Sequence, residues 1–211
     1  MGLKSLYDAH VMPRLITFAC GQEGIEERRR QVVPLATGSV FELGCGGGLN
    51  QALYDTDQVT SFAGIDPHAG LLEGARARAK ERGWPADIRE GVGEAIPFPD
   101  RSFDTVVCTF TLCSVNDPAQ VAREMRRILK PGGRLLFLEH GRAPQANIAR
   151  WQERVEPLWK PLAGGCHLTR RVGANLRANG FEVEPIGQAY LTGAPRMMGW
   201  MEWGVARRRG A

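Results

Sequence analysis

The stretch Ser39-Val40-Phe41-Glu42-Leu43-Gly44-Cys45-Gly46-Gly47-Gly48 decides how this chain is read. Its first half is a short strand-like run carrying one acidic residue. Its second half is almost all glycine, which lets a chain leave a buried strand sharply and lay its backbone against a ligand, because no Cβ blocks positive φ or close approach. A second strand-like run, Phe62-Ala63-Gly64-Ile65-Asp66, ends on a carboxylate. One strand from a glycine turn, that group is placed to take a ribose hydroxyl pair. The pattern reads as a nucleotide-cofactor site. Dinucleotide enzymes use the same physics, but their fingerprint needs a third glycine three residues after the second, and position 49 is Leu. The phosphate-cradling G-x-x-x-x-G-K-[ST] loop is absent.

Outward from this turn the chain alternates strand and helix. Strands are expected at Val40 to Leu43, Phe62 to Asp66, Asp87 to Glu90, Phe103 to Thr109 and Arg134 to Glu139. The run Thr105-Val106-Val107-Cys108 is apolar on both faces, as central strands of a parallel sheet are. Between the second and third strands, Leu71, Leu72, Ala75 and Ala79 fall on one helical face over Ala69 to Arg82, and Gly83 ends it. Asp117 caps the next helix with Pro118 at its first position; Val121, Met125, Ile128 and Leu129 face inward, and Pro131-Gly132-Gly133 stops it. A further helix is expected from about Asn147 to Trp159, and two antiparallel strands near Phe181 to Pro185 and Trp200 to Arg207. The fold class is therefore α/β, a Rossmann-like doubly wound, seven-stranded, mostly parallel sheet with helices on both faces. Its ligand crevice lies at the carboxyl ends of the strands.

Composition narrows the partners. The 211 residues, 43% hydrophobic and 24% charged, suffice for one α/β domain. Residues 1–38 are expected to form a helical lid, 39–139 the cofactor-binding core, and 140–211 the acceptor-side helices and final strands. Five cysteines, at 20, 45, 108, 113 and 166, are odd in number and show no C-x-x-C spacing. With no charged-then-apolar leader, a reducing cytoplasm is expected. The longest mainly apolar stretch, Thr105 to Val115, has about half the length of a membrane span and is broken by Thr and Ser. Net charge is +4, carried largely by Arg28-Arg29-Arg30, Arg126-Arg127 and Arg207-Arg208-Arg209. These runs lack interleaved aromatics, so no nucleic-acid partner is expected and contact with a membrane is at most peripheral.

The spacing Glu42-x-Gly44-x-Gly46-x-Gly48 resembles the E/D-x-G-x-G-x-G signature of class I S-adenosylmethionine (SAM) methyltransferases. The run from Gly91-Val92-Gly93-Glu94 through Pro97-Phe98-Pro99-Asp100 to Ser102-Phe103-Asp104 resembles the G-D-A-E-x-L-P-F-x-D-x-S-F-D stretch of the ubiquinone/menaquinone-biosynthesis type of that superfamily. Glu124 to Arg134 similarly resembles its E-x-x-R-x-L-K-P-G-G element, and together these cover most of residues 39 to 139. Val92 departs from the pattern, standing where the family often has an Asp for the adenine amino group. A narrower similarity joins Leu112-Cys113-Ser114-Val115, Glu139-His140-Gly141 and Gly165-Cys166-His167-Leu168-Thr169-Arg170 to bacterial phospholipid N-methyltransferase-like proteins and to the methyltransferase-like 7 group of animal thiol methyltransferases. The animal proteins carry a hydrophobic N-terminal anchor; Met1 to Val33 here is polar and interrupted, so that property is not carried over.

The resemblance implies S-adenosylmethionine as cofactor, with S-adenosylhomocysteine as product. Gly44 and Gly46 would lie against its methionine part, Asp66 would accept from the ribose, and Gly93 with Glu94 would border the adenine. Thr109 and Thr111 would line the methionine end, and Glu42, Cys45, Gly48 and Pro67 complete the implied cofactor set. A sulfonium methyl is already activated, so such a site mainly excludes water and aligns the acceptor. Where the acceptor needs a base, His140 is the first candidate and His167 the second. Cys113 and Cys166 read as core packing, since direct methyl transfer needs no protein nucleophile. No metal is expected, because His10, His68, His140 and His167 show no paired helical spacing. Four of the five tryptophans follow residue 150, and the helix there is expected to roof the crevice with an apolar acceptor pocket. The expected function is methyl transfer to a small, lipophilic nucleophile, with a thiol preferred. Phosphatidylethanolamine N-methylation or quinone-precursor C-methylation are the alternatives, and a non-catalytic SAM-binding regulator or an NAD-linked oxidoreductase are readings from other classes.

Overall fold

Val40, Phe41, Glu42 and Leu43 are all buried, so both faces of this strand are covered, as a central parallel strand requires. In the computed structural model, which describes residues 21–210, it is β1 (Gly38–Leu43). It pairs in parallel with β2 (Val59–Asp66) on one side and β4 (Phe103–Thr109) on the other. β3 (Ala86–Glu90) extends the β2 edge and β5 (Leu129–His140) continues from β4. Two antiparallel strands, β6 (Phe181–Tyr190) and β7 (Trp200–Arg208), complete the order β3-β2-β1-β4-β5-β7-β6. The order reverses between β1 and β4, and that switch point opens a crevice at their carboxyl ends.

Alternation along each strand divides the core into two layers. Phe41, Leu43, Val106 and Cys108 face one side, where α3 (Pro118–Ile128) and α5 (Val172–Ala178) contribute Val121, Met125, Ile128 and Leu176. Val40, Phe62, Val107 and Leu136 face the other, against Ile25 and Val32 of α1 (Glu23–Val32) and Leu72, Ala75 and Ala79 of α2 (Ala69–Glu81). A further helix, α4 (Ala146–Leu162), follows β5 and precedes α5 in sequence.

Local signals explain most boundaries. Asp117 Oδ1 accepts from the amides of Ala119 and Gln120 at 2.9 Å each, with Pro118 at the first helical position of α3. Gly83, with φ of 71°, follows the end of α2. Three expectations need correction. Leu129 is buried, but as extended chain: α3 ends at Ile128 and β5 begins at once, so Pro131-Gly132-Gly133 lies inside the strand element. β6 runs five residues beyond Pro185, because a register shift between Pro185 and Gly187 on an edge strand absorbs the missing amide. α4 extends at both ends, and no described residue of it lines the cofactor crevice: Ala149 and Gln152 are its buried side, while Trp151 and Leu158 stand exposed. Of the expected helical lid, α1 lies within the described residues and residues 1–20 lie outside them, with His10 and Cys20.

Candidate cofactor site

At the switch point lies a cleft of about 280 Å³ whose lining joins the ends of β1, β2, β3 and β4. Glu42, Gly44, Cys45, Gly46, Asp66, Pro67, Gly93, Glu94, Thr109 and Thr111 all contribute to it. Val92, half exposed, also lines it. Gly48, His140 and His167 do not. Gly48 serves packing instead: a Cβ there would meet Gln51 Nε2 at 3.0 Å and the Ala75 Cα at 3.1 Å.

The glycine turn is held from below. Gly44 and Cys45 donate their amides to the Ile65 carbonyl at 2.9 and 3.0 Å, and the Gly46 amide donates to Asp66 Oδ2 at 3.0 Å. The other Asp66 oxygen accepts the His68 amide at 2.8 Å. This carboxylate is 7% exposed and keeps lone pairs beyond those two bonds for a ligand in the cleft. Gly44 and Gly46 differ in what demands them. A Cβ on Gly44 would sit 2.0 Å from Thr111 Oγ1, whereas on Gly46, at φ of 48°, it would meet nothing nearer than 4.0 Å. The backbone of Gly46 is therefore bare toward the cleft, a cradle that a side chain would fill and that an adenosyl-sulfonium compound fits.

The cleft floor is part of a buried polar network to which the lining residues Arg29, Glu42 and Thr109 belong. Glu42 accepts from Asn50 Nδ2 at 2.9 Å and from the Tyr54 hydroxyl at 2.8 Å. Arg29 of α1 donates to Asn50 Oδ1 and, at 3.1 Å, to Thr109 Oγ1, which also accepts from Asn50 at 3.0 Å. Burial pushes the Glu42 carboxyl up to about 7, against the opposing pull of Tyr54, Arg29 and Asn50. Burial, followed by the charge of Glu42, also pushes the Cys45 thiol far above its ordinary range, which leaves it inert as a nucleophile. Arg29 and Asn50 escaped the sequence reading, since Arg29 sits in an arginine run that reads as a solvated face.

The far wall is a loop organised by one carboxylate. Glu139, fully buried at the end of β5, accepts the amides of Thr111 and Leu112 at 2.9 Å and of Cys113 at 3.0 Å. Burial raises its carboxyl above the usual range and these three amides oppose that. Phe110 enters this loop with φ of 55°, a left-handed conformation costly for a bulky residue, and its ring lines the cleft. No pattern in the sequence marks it. Across the loop, Arg170 donates to the carbonyls of Leu112 and Val115, and Gly164, beyond α4, reaches the cleft lining. Glu94 borders the opposite end, where Oε1 accepts the amides of Asn116 and Asp117 at 2.9 and 3.1 Å.

Both histidines named as bases lie behind the wall. His140 ends β5 with its ring edge-on to Phe110 at 5.0 Å and its Nδ1 3.7 Å from Cys166 Sγ. His167 Nδ1 is 2.9 Å from Glu156 Oε1, while Glu156 Oε2 accepts the Thr169 amide at 2.8 Å. That arrangement fastens the turn after α4 to the helix.

Comparison with known proteins agrees with this geometry. A family model described as a methyltransferase domain matches residues 41–137. Thiol S-methyltransferase TMT1B of Rattus norvegicus is 36% identical over 171 residues, which span 76% of this chain and 69% of the relative. The phosphatidylethanolamine N-methyltransferase of Cereibacter sphaeroides is 32% identical over 146 residues, 66% of this chain and 71% of that protein. The solved structure of a SAM-dependent methyltransferase from Thermotoga maritima superposes with a TM-score of 0.65 at 21% identity, covering 100% of both chains, and so shares the fold. With the bare glycine turn and the acidic end of β2 where this fold requires them, the chain belongs to the class I methyltransferases that use S-adenosylmethionine as cofactor.

Proposed function

We propose that this methyltransferase acts on a small lipophilic thiol, with the cofactor in the cleft between the glycine turn and the Glu139-organised loop. The observation that carries the reading is the 36% identity to a thiol S-methyltransferase over 76% of this chain. The residues that the family model matches, 41–137, take in the glycine turn and the loop beyond β4. Bound there, S-adenosylmethionine supplies an activated sulfonium methyl. The backbone at Gly44 and Gly46 lies against its methionine part, Asp66 accepts from the ribose, and Glu94 with Gly93 borders the adenine. Glu42, Cys45, Pro67, Thr109 and Thr111 complete the lining, and Phe110, Val115 and Gly164 form the wall that an acceptor meets.

A thiol suits this wall on physical grounds. Its unperturbed pKa is about 8.5, so an appreciable fraction ionises near neutrality without a protein base. Neither His140 nor His167 lines the cleft, and a thiol acceptor requires neither there. An amine or carbon acceptor, by contrast, calls for a base at the reacting atom. Among the described residues no helix is long and apolar enough to cross a membrane. Peripheral membrane contact belongs to the same reading, supported by Trp151 and Leu158 exposed on α4 with Arg154 over the Trp151 ring.

The test is S-adenosylhomocysteine release with alkyl thiols, phosphatidylethanolamine vesicles and quinol precursors offered in parallel. Turnover confined to thiols supports the reading. Turnover on vesicles or quinols alone replaces it, and cofactor binding with silence on all three acceptors favours a regulatory protein.

A further inference from the structure

Three side chains that do not line the cofactor cleft converge behind its Phe110 wall. Cys113 lies in the loop after β4, His140 ends β5, and Cys166 lies in the turn after α4. One ligand-capable atom from each, two sulfurs and an imidazole nitrogen, lie within 4.8 Å of one another. His140 Nδ1 is 3.7 Å from Cys166 Sγ. A tetrahedral zinc, with sulfur at about 2.3 Å and nitrogen at about 2.0 to 2.1 Å, keeps neighbouring sulfur and nitrogen ligands roughly 3.5 Å apart. The observed separation is already close to that.

We propose that Cys113, His140 and Cys166 form a three-ligand site for zinc, with the fourth coordination position left open. Two sulfurs and an imidazole are the donor set that a borderline-soft d¹⁰ cation takes, and carboxylate-preferring cations do not. A thiol–imidazole hydrogen bond accounts for the contact between Cys166 and His140, but it does not call for the second sulfur, Cys113, to converge on the same point. Both thiols are free of disulfide.

The ligands are held by their surroundings before any ion arrives. Glu139 Oε2 takes the Cys113 amide at 3.0 Å, and the Cys113 carbonyl accepts the His167 amide at 2.8 Å, which ties its loop to the turn carrying Cys166. His140 is fixed by strand pairing opposite Met201 of β7. Such support is what limits the displacement a metal must impose. A cation here links two segments that wall the cleft, Thr111 to Val115 on one side and Gly164 on the other. The site was invisible in sequence because its ligands lie in three separate segments with none of the short spacings of a zinc motif.

The experiment uses the full chain, reduced and stripped with a chelator, then titrated separately with Zn²⁺ and Co²⁺. One equivalent of zinc per chain is expected, and the cobalt form should show thiolate-to-metal charge transfer with the absorption of tetrahedral Co²⁺. Both should vanish in the C113S/C166S double variant, and His140→Ala should weaken zinc binding by about tenfold or more. Calorimetric SAM binding by the same variants reports that they are folded. Where they are not, the cobalt spectrum of the native chain decides alone. No stoichiometric zinc uptake, a cobalt form without thiolate charge transfer, or uptake unchanged in a folded double variant overturns the proposal.

Discussion

The Gly46 amide donates to Asp66 Oδ2 at 3.0 Å, so the glycine turn after β1 and the acidic end of β2 form a single unit. Asp66→Ala removes both the carboxylate in the cleft and the partner of this amide. S-adenosylmethionine affinity should fall by roughly 1 to 3 kcal/mol. Isothermal calorimetry measures it, and an unchanged Kd would take Asp66 out of the cofactor site.

Gly44 and Gly46 should separate folding from binding. Gly46→Val places a branched side chain where the Cβ alone meets nothing nearer than 4.0 Å, at a strained φ costing about 1 to 2 kcal/mol. Cofactor binding should be lost, with thermal unfolding lowered by only a few degrees. Gly44→Ala drives its Cβ to 2.0 Å from Thr111 Oγ1 and should destabilise the fold itself. Retained SAM affinity in Gly46→Val shows that the turn does not touch the ligand.

Glu139 carries three backbone amides of the loop beyond β4 on one buried carboxylate. Glu139→Ala leaves all three without their partner, each costing about 1 to 3 kcal/mol when water cannot replace it. The variant should unfold at markedly lower urea, and hydrogen exchange at Thr111, Leu112 and Cys113 should accelerate more than at β1. Exchange that is uniform across the sheet rules out a local role.

How much of this was legible in the sequence depends on the range of the cause. The glycine turn, the Asp66 carboxylate, the Asp117 cap and the two-sided apolar strands are dictated by neighbours along the chain, and the structure has them where expected. Residues acting across the fold were not legible. Arg29 reaches Thr109, 80 positions away, and Glu139 organises residues 26 to 28 positions before it. The expected apolar roof from the helix after β5 failed for the same reason: Trp151 and Leu158 are apolar in composition, but packing turned them to solvent and buried Gln152 to bind Gly141 and Ala143.

Glu42 should make stability depend on pH in a direction opposite to that of a salt-bridged carboxylate. Its folded pKa is raised from 4.5 to about 7, chiefly by burial. Between those values the folded chain holds a proton here that the unfolded chain has released, so folding loses stability as pH rises across that window. Below it the contribution is fully present, and above it the loss is complete, at about 3 kcal/mol as an upper bound. Glu42→Gln lacks the titration while keeping an oxygen for Asn50, and the Tyr54 hydroxyl can turn to accept from its amide. Urea unfolding of both proteins at about pH 5 and about pH 8 measures the effect. The wild type should lose ground to the variant at the higher pH; an equal difference at both pH values means that Glu42 does not change its proton in this range.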